Sequence, residues 1–172
     1  PLVECDMNYD GSTEFDITIA ESEILDVRQD NIEIAYFETL ADVSADANAI
    51  ANPEAYNNIS NPQTVYVKVT NTISNCYVSV PMELIVNLPP AIDPFETYEI
   101  CATENNNFNL TEINGALMDE SFNVLFSYFT NESDARANTN TLDTNYTYQS
   151  TNDTLFVRVE FSTTHCFYVH EF

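Results

Sequence analysis

Hydrophobic and polar residues alternate along several short runs of this chain. Phe15, Ile17 and Ile19 are interleaved with Asp16 and Thr18, and Ile32, Ile34 and Tyr36 with Glu33 and Ala35. Val65, Val67 and Val69 point one way while Tyr66 and Lys68 point the other, and Met82, Leu84 and Val86 continue the pattern. A period of two predicts strands with one buried face each. The runs are rich in β-branched and aromatic residues, which fit a pleated, half-buried surface. One stretch, LADVSADANAI (40–50), is less strand-like and accommodates a helical turn.

The pattern occurs twice. CDMNYDGSTEFDIT (5–18) matches CATENNNFNLT (101–111), IAYFETLADVSADANAI (34–50) matches FSYFTNESDARANTNTL (126–142), and QTVYVKVTNTISNCYV (63–78) matches DTLFVRVEFSTTHCFY (153–168). Three matches in the same order, at nearly equal spacing, imply two copies of one module. The first spans 1–88 and the second 94–172, with 89–93 as linker, inside the proline-containing NLPPAIDP (87–94) that suits a stiff, extended connection. Short strands separated by polar turns, at ~90 residues per module, predict an all-β chain of two tandem Ig-like antiparallel β-sandwich modules, with a small barrel as the alternative.

Charge narrows the function. Four basic residues face 28 acidic ones among 172, for a net charge of −24. Such a surface repels a phosphate backbone, which argues against nucleic acid, and it repels an anionic membrane. It favours solubility and divalent cations, although most of these carboxylates serve only as a solvated face. There is no initiator Met, no signal peptide and no apolar stretch of about 18 residues for direct membrane insertion. The chain begins PLVECD and stops at YVHEF in what reads as mid-strand, so it is expected to be part of a longer protein.

Cys5 and Cys76 fall in the first module and Cys101 and Cys166 at matching places in the second. Four cysteines allow three pairings. Repeat symmetry predicts Cys5–Cys76 and Cys101–Cys166, one bridge per module, each stabilising by ~4 kcal/mol on the chain-entropy account. Bridges imply an oxidising compartment. Four buried free thiols are the alternative. Zinc is disfavoured because there is no CxxC, and His165 and His170 beside Cys166 have no counterpart in the first module.

Asp6, Asn8, Asp10 and Gly11 fit D-x-[DN]-x-[DN]-G, the front half of a calcium loop. The carbonyl of Ser12 would be the next ligand, and Asp16, with Glu14 as second choice, would close the site. The twelfth position of an EF-hand, normally Glu, is Ile17 here. The alternative is an Asx-rich turn in which Asp6 and Asn8 cap their own backbone. The second module has ATENNN in place of this loop, so a calcium ion would be a local clamp on the first module.

The string CDMNYDGSTEFDIT…YFETLADVSADANAI…NPQTVYVKVTNTISNCY…ELIVN resembles repeat modules of very large Bacteroidetes surface proteins associated with gliding motility or type IX secretion. The resemblance covers the first module and, more loosely, the second. It implies an extracellular, cell-surface stalk or adhesin whose partners are neighbouring repeats of its own chain.

Three functions compete. A structural or adhesive repeat fits the tandem modules, cysteines and acidic surface. A module binding polysaccharide or another surface ligand would use exposed aromatics such as Tyr9, Tyr56 and Tyr146. An enzyme is the least supported, because no nucleophile motif, metal triad or phosphate loop is present. Sequons at Asn58, Asn109, Asn131, Asn145 and Asn152 would be mostly accidents of an Asn- and Thr-rich composition in a bacterium, and glycan sites in a eukaryotic ectodomain.

Overall fold

The computed structural model describes residues 1–19, 21–25, 30–101, 106–118, 123–149 and 153–172. The chain divides into two units, Pro1–Leu88 and Pro89–Phe172.

In the first unit the elements are β1 (Leu2–Cys5), β2 (Glu14–Phe15), α1 (Glu21–Leu25), β3 (Ile32–Phe37), α2 (Leu40–Ala45), β4 (Tyr56–Asn57), β5 (Gln63–Asn71) and β6 (Tyr77–Asn87). The main sheet runs β1-β6-β5-β3, and β2 pairs with β4 in a two-stranded ribbon. β5 runs antiparallel to its two neighbours β3 and β6, whereas β1 lies parallel to β6, with Leu2 opposite Leu84 and Cys5 opposite Asn87. The ribbon packs over one face of the sheet. Phe15 and Tyr56 from the ribbon side meet Tyr36, Val65, Val67, Leu84 and Val86 from the sheet side, and Ile17 completes this buried cluster. Each fully buried Val or Phe contributes roughly 1.5–3 kcal/mol relative to exposure.

The predicted strand through Ile19 stops early. Asp16 Oδ1 accepts from the Thr18 backbone N–H and from its hydroxyl, which closes a turn in place of further strand and leaves Ile19 exposed. The predicted helical turn is α2. Thr39 caps its N-terminus by accepting from the Asp42 N–H, and Asp46 ends it in the left-handed region at φ 51°.

The second unit repeats the plan. β7 (Asn107–Asn109) pairs with β9 (Asn145–Thr147) as the ribbon, and β8 (Val124–Phe129), β10 (Phe156–Phe161) and β11 (Phe167–Glu171) form the sheet in the order β11-β10-β8. α3 (Asn114–Leu117) follows a 3-10 turn at Leu110–Ile113, and α4 (Glu132–Ala137) follows β8. Equivalences are close. Phe108 faces Tyr146 as Phe15 faces Tyr56, and Leu142 N–H donates to Tyr128 as Ile50 N–H donates to Tyr36, both at 2.8 Å. Asn131 caps α4 and Asn138 ends it at φ 52°. Leu110, Ile113, Leu117, Tyr128, Leu155, Val157 and Val159 form the core. Both units are therefore all-β and sandwich-like, with short helices added.

Candidate functional site: a cysteine at each end of a module, a cation at its centre

The cysteines occupy two kinds of place. Cys76 and Cys166 sit in the same turn of equivalent hairpins. In one, Asn71 N–H donates to Cys76 O at 2.9 Å and Asn75 adopts φ 57°. In the other, Phe161 N–H donates to Cys166 O at 3.0 Å and His165 adopts φ 59°. Cys5 ends β1 at the opposite end of the sheet, and Asp6 N–H extends the ladder to Asn87 O at 2.9 Å. Cys101 follows an extended segment and rims a shallow cleft of about 370 Å³ with Tyr98, Ile100, Phe108 and Glu112.

The oxidation states break the repeat symmetry. Cys5 and Cys166 are in disulfide form, whereas Cys76 and Cys101 are free, exposed thiols. The sequence-based pairing Cys5–Cys76 with Cys101–Cys166 therefore fails. Its physical reason is the register. Cys5 is opposite Asn87, at the far end of the 11-residue strand that begins just after Cys76. At ~3.3 Å per residue that separation is roughly 35 Å, against a disulfide Cα reach of about 4.4–6.8 Å. β1 pairs only with the last four residues of β6, Leu84–Asn87, so either end of β1 stays far from the hairpin that holds Cys76.

A buried cation holds each helix to its sheet. Lys68 Nζ donates to the carbonyl of Val43 at 3.2 Å and to Asp46 Oδ1 at 2.5 Å, and it lies 4.6 Å from the centre of the Tyr77 ring. Arg158, the equivalent residue, donates through Nη1 to the carbonyls of Ala135 at 3.2 Å and Arg136 at 3.0 Å, with its guanidinium 3.4 Å from the centre of the Phe167 ring. Its Nε pairs with Glu160 at 2.7 Å, and Glu160 also meets His165 Nδ1 at 2.9 Å. Burial alone would raise the Glu160 pKa, but the bonds from His165 and Arg158 and their charges outweigh it and hold that carboxyl below its ordinary value. The chemistry is that of helix C-capping: a cation satisfies terminal carbonyls and the negative end of the dipole. The sequence reading assigned β5 one buried face and missed the second. The signal was present, since two of only four basic residues stand at the same place in VYVKV and LFVRV.

The opening loop is held by its own backbone. Asp6 is fully buried. Its Oδ1 accepts from the N–H groups of Asn8 at 3.0 Å and Tyr9 at 2.8 Å, and its Oδ2 from Gly11 at 2.6 Å. Asp10 accepts from Ser12 N–H and from Asn8 Nδ2, and Asn58 clamps the far side through Thr13 N–H and the Gly11 carbonyl. Glu14 is exposed in β2, and Asp16 is committed to Thr18. Among the described residues no three His, Cys, Asp or Glu converge as a metal-binding group. This is the Asx-turn arrangement, in which carboxylate lone pairs face N–H donors. Residues 102–105, where the second module lacks the acidic loop, lie outside the described residues.

The tyrosines proposed as a stacking platform do not form one. Tyr9 is exposed, but Tyr56 belongs to the core, with its hydroxyl donating to Glu38 and accepting from Gln63 Nε2, and half-buried Tyr146 donates to Asp153. Burial is the first cause of the raised pKa of both phenols. Buried Tyr36 donates to Glu21, and its phenol is likewise pushed up by burial and then by that bond. Of the sequon residues, Asn58 is buried, Asn109 and Asn131 cap helical turns, and Asn152 lies outside the described residues. No helix is long and apolar enough to cross a membrane among the described residues.

No curated protein matches the chain. The family described as the Flavobacterium inter-domain disulphide bond domain matches it twice, over residues 1–90 and 97–172. Two copies of one sandwich-like unit, each contributing one disulfide-form cysteine, are what that description leads one to expect, and the chain belongs to the FIDD family as a tandem pair of its domains.

Proposed function

We propose that Cys5 and Cys166 are joined to each other, that the chain is a non-catalytic repeat pair of an extracellular surface protein, and that this bridge is its working part. The observation carrying the reading is that each module supplies one disulfide-form cysteine while the other two cysteines are free thiols, which leaves the two oxidised ones only each other within the chain. The family description, with its inter-domain bond, supports it. A bond formed by Cys5 and Cys166 brackets almost the whole chain. Tension applied at the two ends peels no more than β1 and β11 before it reaches the sulfurs, and the covalent bond then carries it past both cores. Adhesive or filamentous surface repeats need this property, and the acidic surface keeps neighbouring copies apart. A disulfide of this kind persists in an oxidising compartment outside the cell.

The experiment is to pull the full chain by its two ends with and without reductant. The oxidised chain is expected to rupture or detach without releasing the about 160 residues between the bonded cysteines, a contour of roughly 550 Å. The reduced chain is expected to release two module lengths in separate steps. Two steps in the oxidised chain would refute the reading.

A further inference from the structure

We infer that the hairpin end of β6 in the first unit is a docking surface for an extended peptide segment that carries an aliphatic residue three positions before an aromatic one, as Ile92 precedes Phe95. The first observation is a strip on the core-facing side of the sheet that stays exposed. Val78 stands opposite Val69, and Val80 opposite Val67. Directly opposite residues share a face of a sheet. Val67 is buried in the core, and Val69 packs against it. Val78 and Val80 therefore point to the core side, yet they are 57% and 42% exposed. Ile34, opposite Val69 on β3, continues the strip and is half-buried. The edge of β6 is open at the same place. β1 pairs only with residues 84–87, so residues 77–83 have no strand on that side among the described residues.

The second unit supplies the chemistry of the occupant. Counted from the equivalent Lys68 and Arg158, Val78, Val80 and Met82 correspond to Tyr168, His170 and Phe172. Tyr168 and His170 stand opposite the core residues Val159 and Val157. These three counterparts are all half-buried. Their cover comes from the segment that leads into that unit. The Phe95 ring meets His170 edge-on at 5.2 Å between centres and Phe172 at 6.0 Å, and Ile92 and Phe95 both pack against the core. The Phe95 carbonyl oxygen also lies 2.7 Å from His170 Nε2. One copy of the fold thus carries an aliphatic–aromatic segment over the strip that its twin exposes.

The first unit would hold such a segment by burial rather than by polar bonds. Val80 has no counterpart to the His170 nitrogen, and Pro81 offers no N–H to an added strand. What remains is a contiguous strip of aliphatic side chains, the kind of exposed patch that marks a protein interaction site. An aromatic ring laid on Val78 and Val80 removes apolar surface of both partners from water.

Titrating the isotopically labelled full chain with a synthetic peptide of residues 90–98, followed by amide chemical shifts, tests this. Saturable shifts are expected in residues 77–82 and at Ile34 and Val69. The same peptide with Phe95→Ala is expected to bind about tenfold more weakly or worse, as for loss of an aromatic anchor. Val80→Asp alters a position that is already exposed and is expected to fold and to abolish the shifts. Shifts at His170 instead, equal binding of the two peptides, or binding undiminished by Val80→Asp would each overturn the inference. If the free peptide binds too weakly to titrate, a chain with residues 90–96 repeated directly ahead of Pro1 raises the local concentration to roughly millimolar. Amide exchange in residues 77–83 is then expected to slow by about tenfold or more. Unchanged exchange there would overturn the inference without touching the proposed bridge.

Discussion

Lys68 Nζ reaches across from the centre of β5 to the carbonyl of Val43 near the end of α2, at 3.2 Å. α2 has only six residues, too few to be stable alone. It persists because its N-terminus is capped by Thr39, its underside buries Val43, and its last carbonyls face a cation. The ion pair to Asp46 adds little, since Asp46 is exposed. Lys68→Met keeps the stem and removes the donor. It should destabilise the first unit by about 1–3 kcal/mol, the cost of leaving a terminal carbonyl without its partner. Denaturant unfolding together with amide exchange in β5 and α2 checks this. Unchanged exchange in α2 would show that packing alone holds the helix.

Arg158 should matter more than Lys68. Its partner Glu160 is itself buried, so Arg158→Met leaves that carboxylate with His165 as its remaining partner and strands the Ala135 and Arg136 carbonyls. Removing one member of a buried pair typically costs about 3–5 kcal/mol. The second unit of this variant is expected to unfold at markedly lower denaturant than the first unit of the Lys68 variant, and equal losses would contradict the role given to Glu160.

The same carboxylate makes the second unit sensitive to acid. Its folded pKa lies below the ordinary 4.5. The unfolded chain therefore takes up this proton at higher pH than the folded one, so the contribution is fully present above the ordinary glutamate range and is lost as pH falls through the folded value. Glu160→Gln should lower the melting temperature at neutral pH and flatten its fall as the pH drops below the ordinary glutamate value of 4.5. Parallel melting curves for the two proteins across that range would exclude the linkage.

Much of this architecture was legible in the sequence, and the failures have a common origin. The repeat, the strands and the helical turn follow from local pattern: IEIAYF and VLFSYF bury the same positions, and Thr39 and Asn131 cap equivalent helices. Three features depend on relations between distant segments, which local pattern does not encode. The place of β1 along β6, opposite Leu84–Asn87, decided where Cys5 lands. A second layer, α2 on the outer face of β5, turned Lys68 from a surface residue into a strut. The loop from Asp6 to Asp16 has the residue types of a cation cage, and its shape also rests on bonds that local pattern does not show: the Asp6 carboxylate accepts from three N–H groups of the loop, and Asn58, about 45 positions away, braces it through Thr13 N–H and the Gly11 carbonyl.

The two N-caps offer an internal comparison. Thr39→Ala and Asn131→Ala each remove the acceptor for one helical N–H, from Asp42 and Asp134 respectively. Each should cost about 1 kcal/mol in its own unit and leave the other unit's amide exchange unchanged. Coupled losses would mean that the units unfold as one.

The opening loop can be tested against calcium directly. Asp6 satisfies three backbone N–H groups without a metal, so removing it should weaken the first unit whatever the ionic conditions. Asp6→Ala is expected to destabilise that unit by about 1.5–3 kcal/mol, the range for hydrogen bonds to a charged group. If those bonds are the loop's main purpose, the natural chain melts at the same temperature in chelator and in millimolar calcium. A calcium-dependent rise confined to the first unit, and abolished by Asp10→Ala, would show instead that the D-x-N-x-D-G residues turn their oxygens to an ion, as their spacing invites.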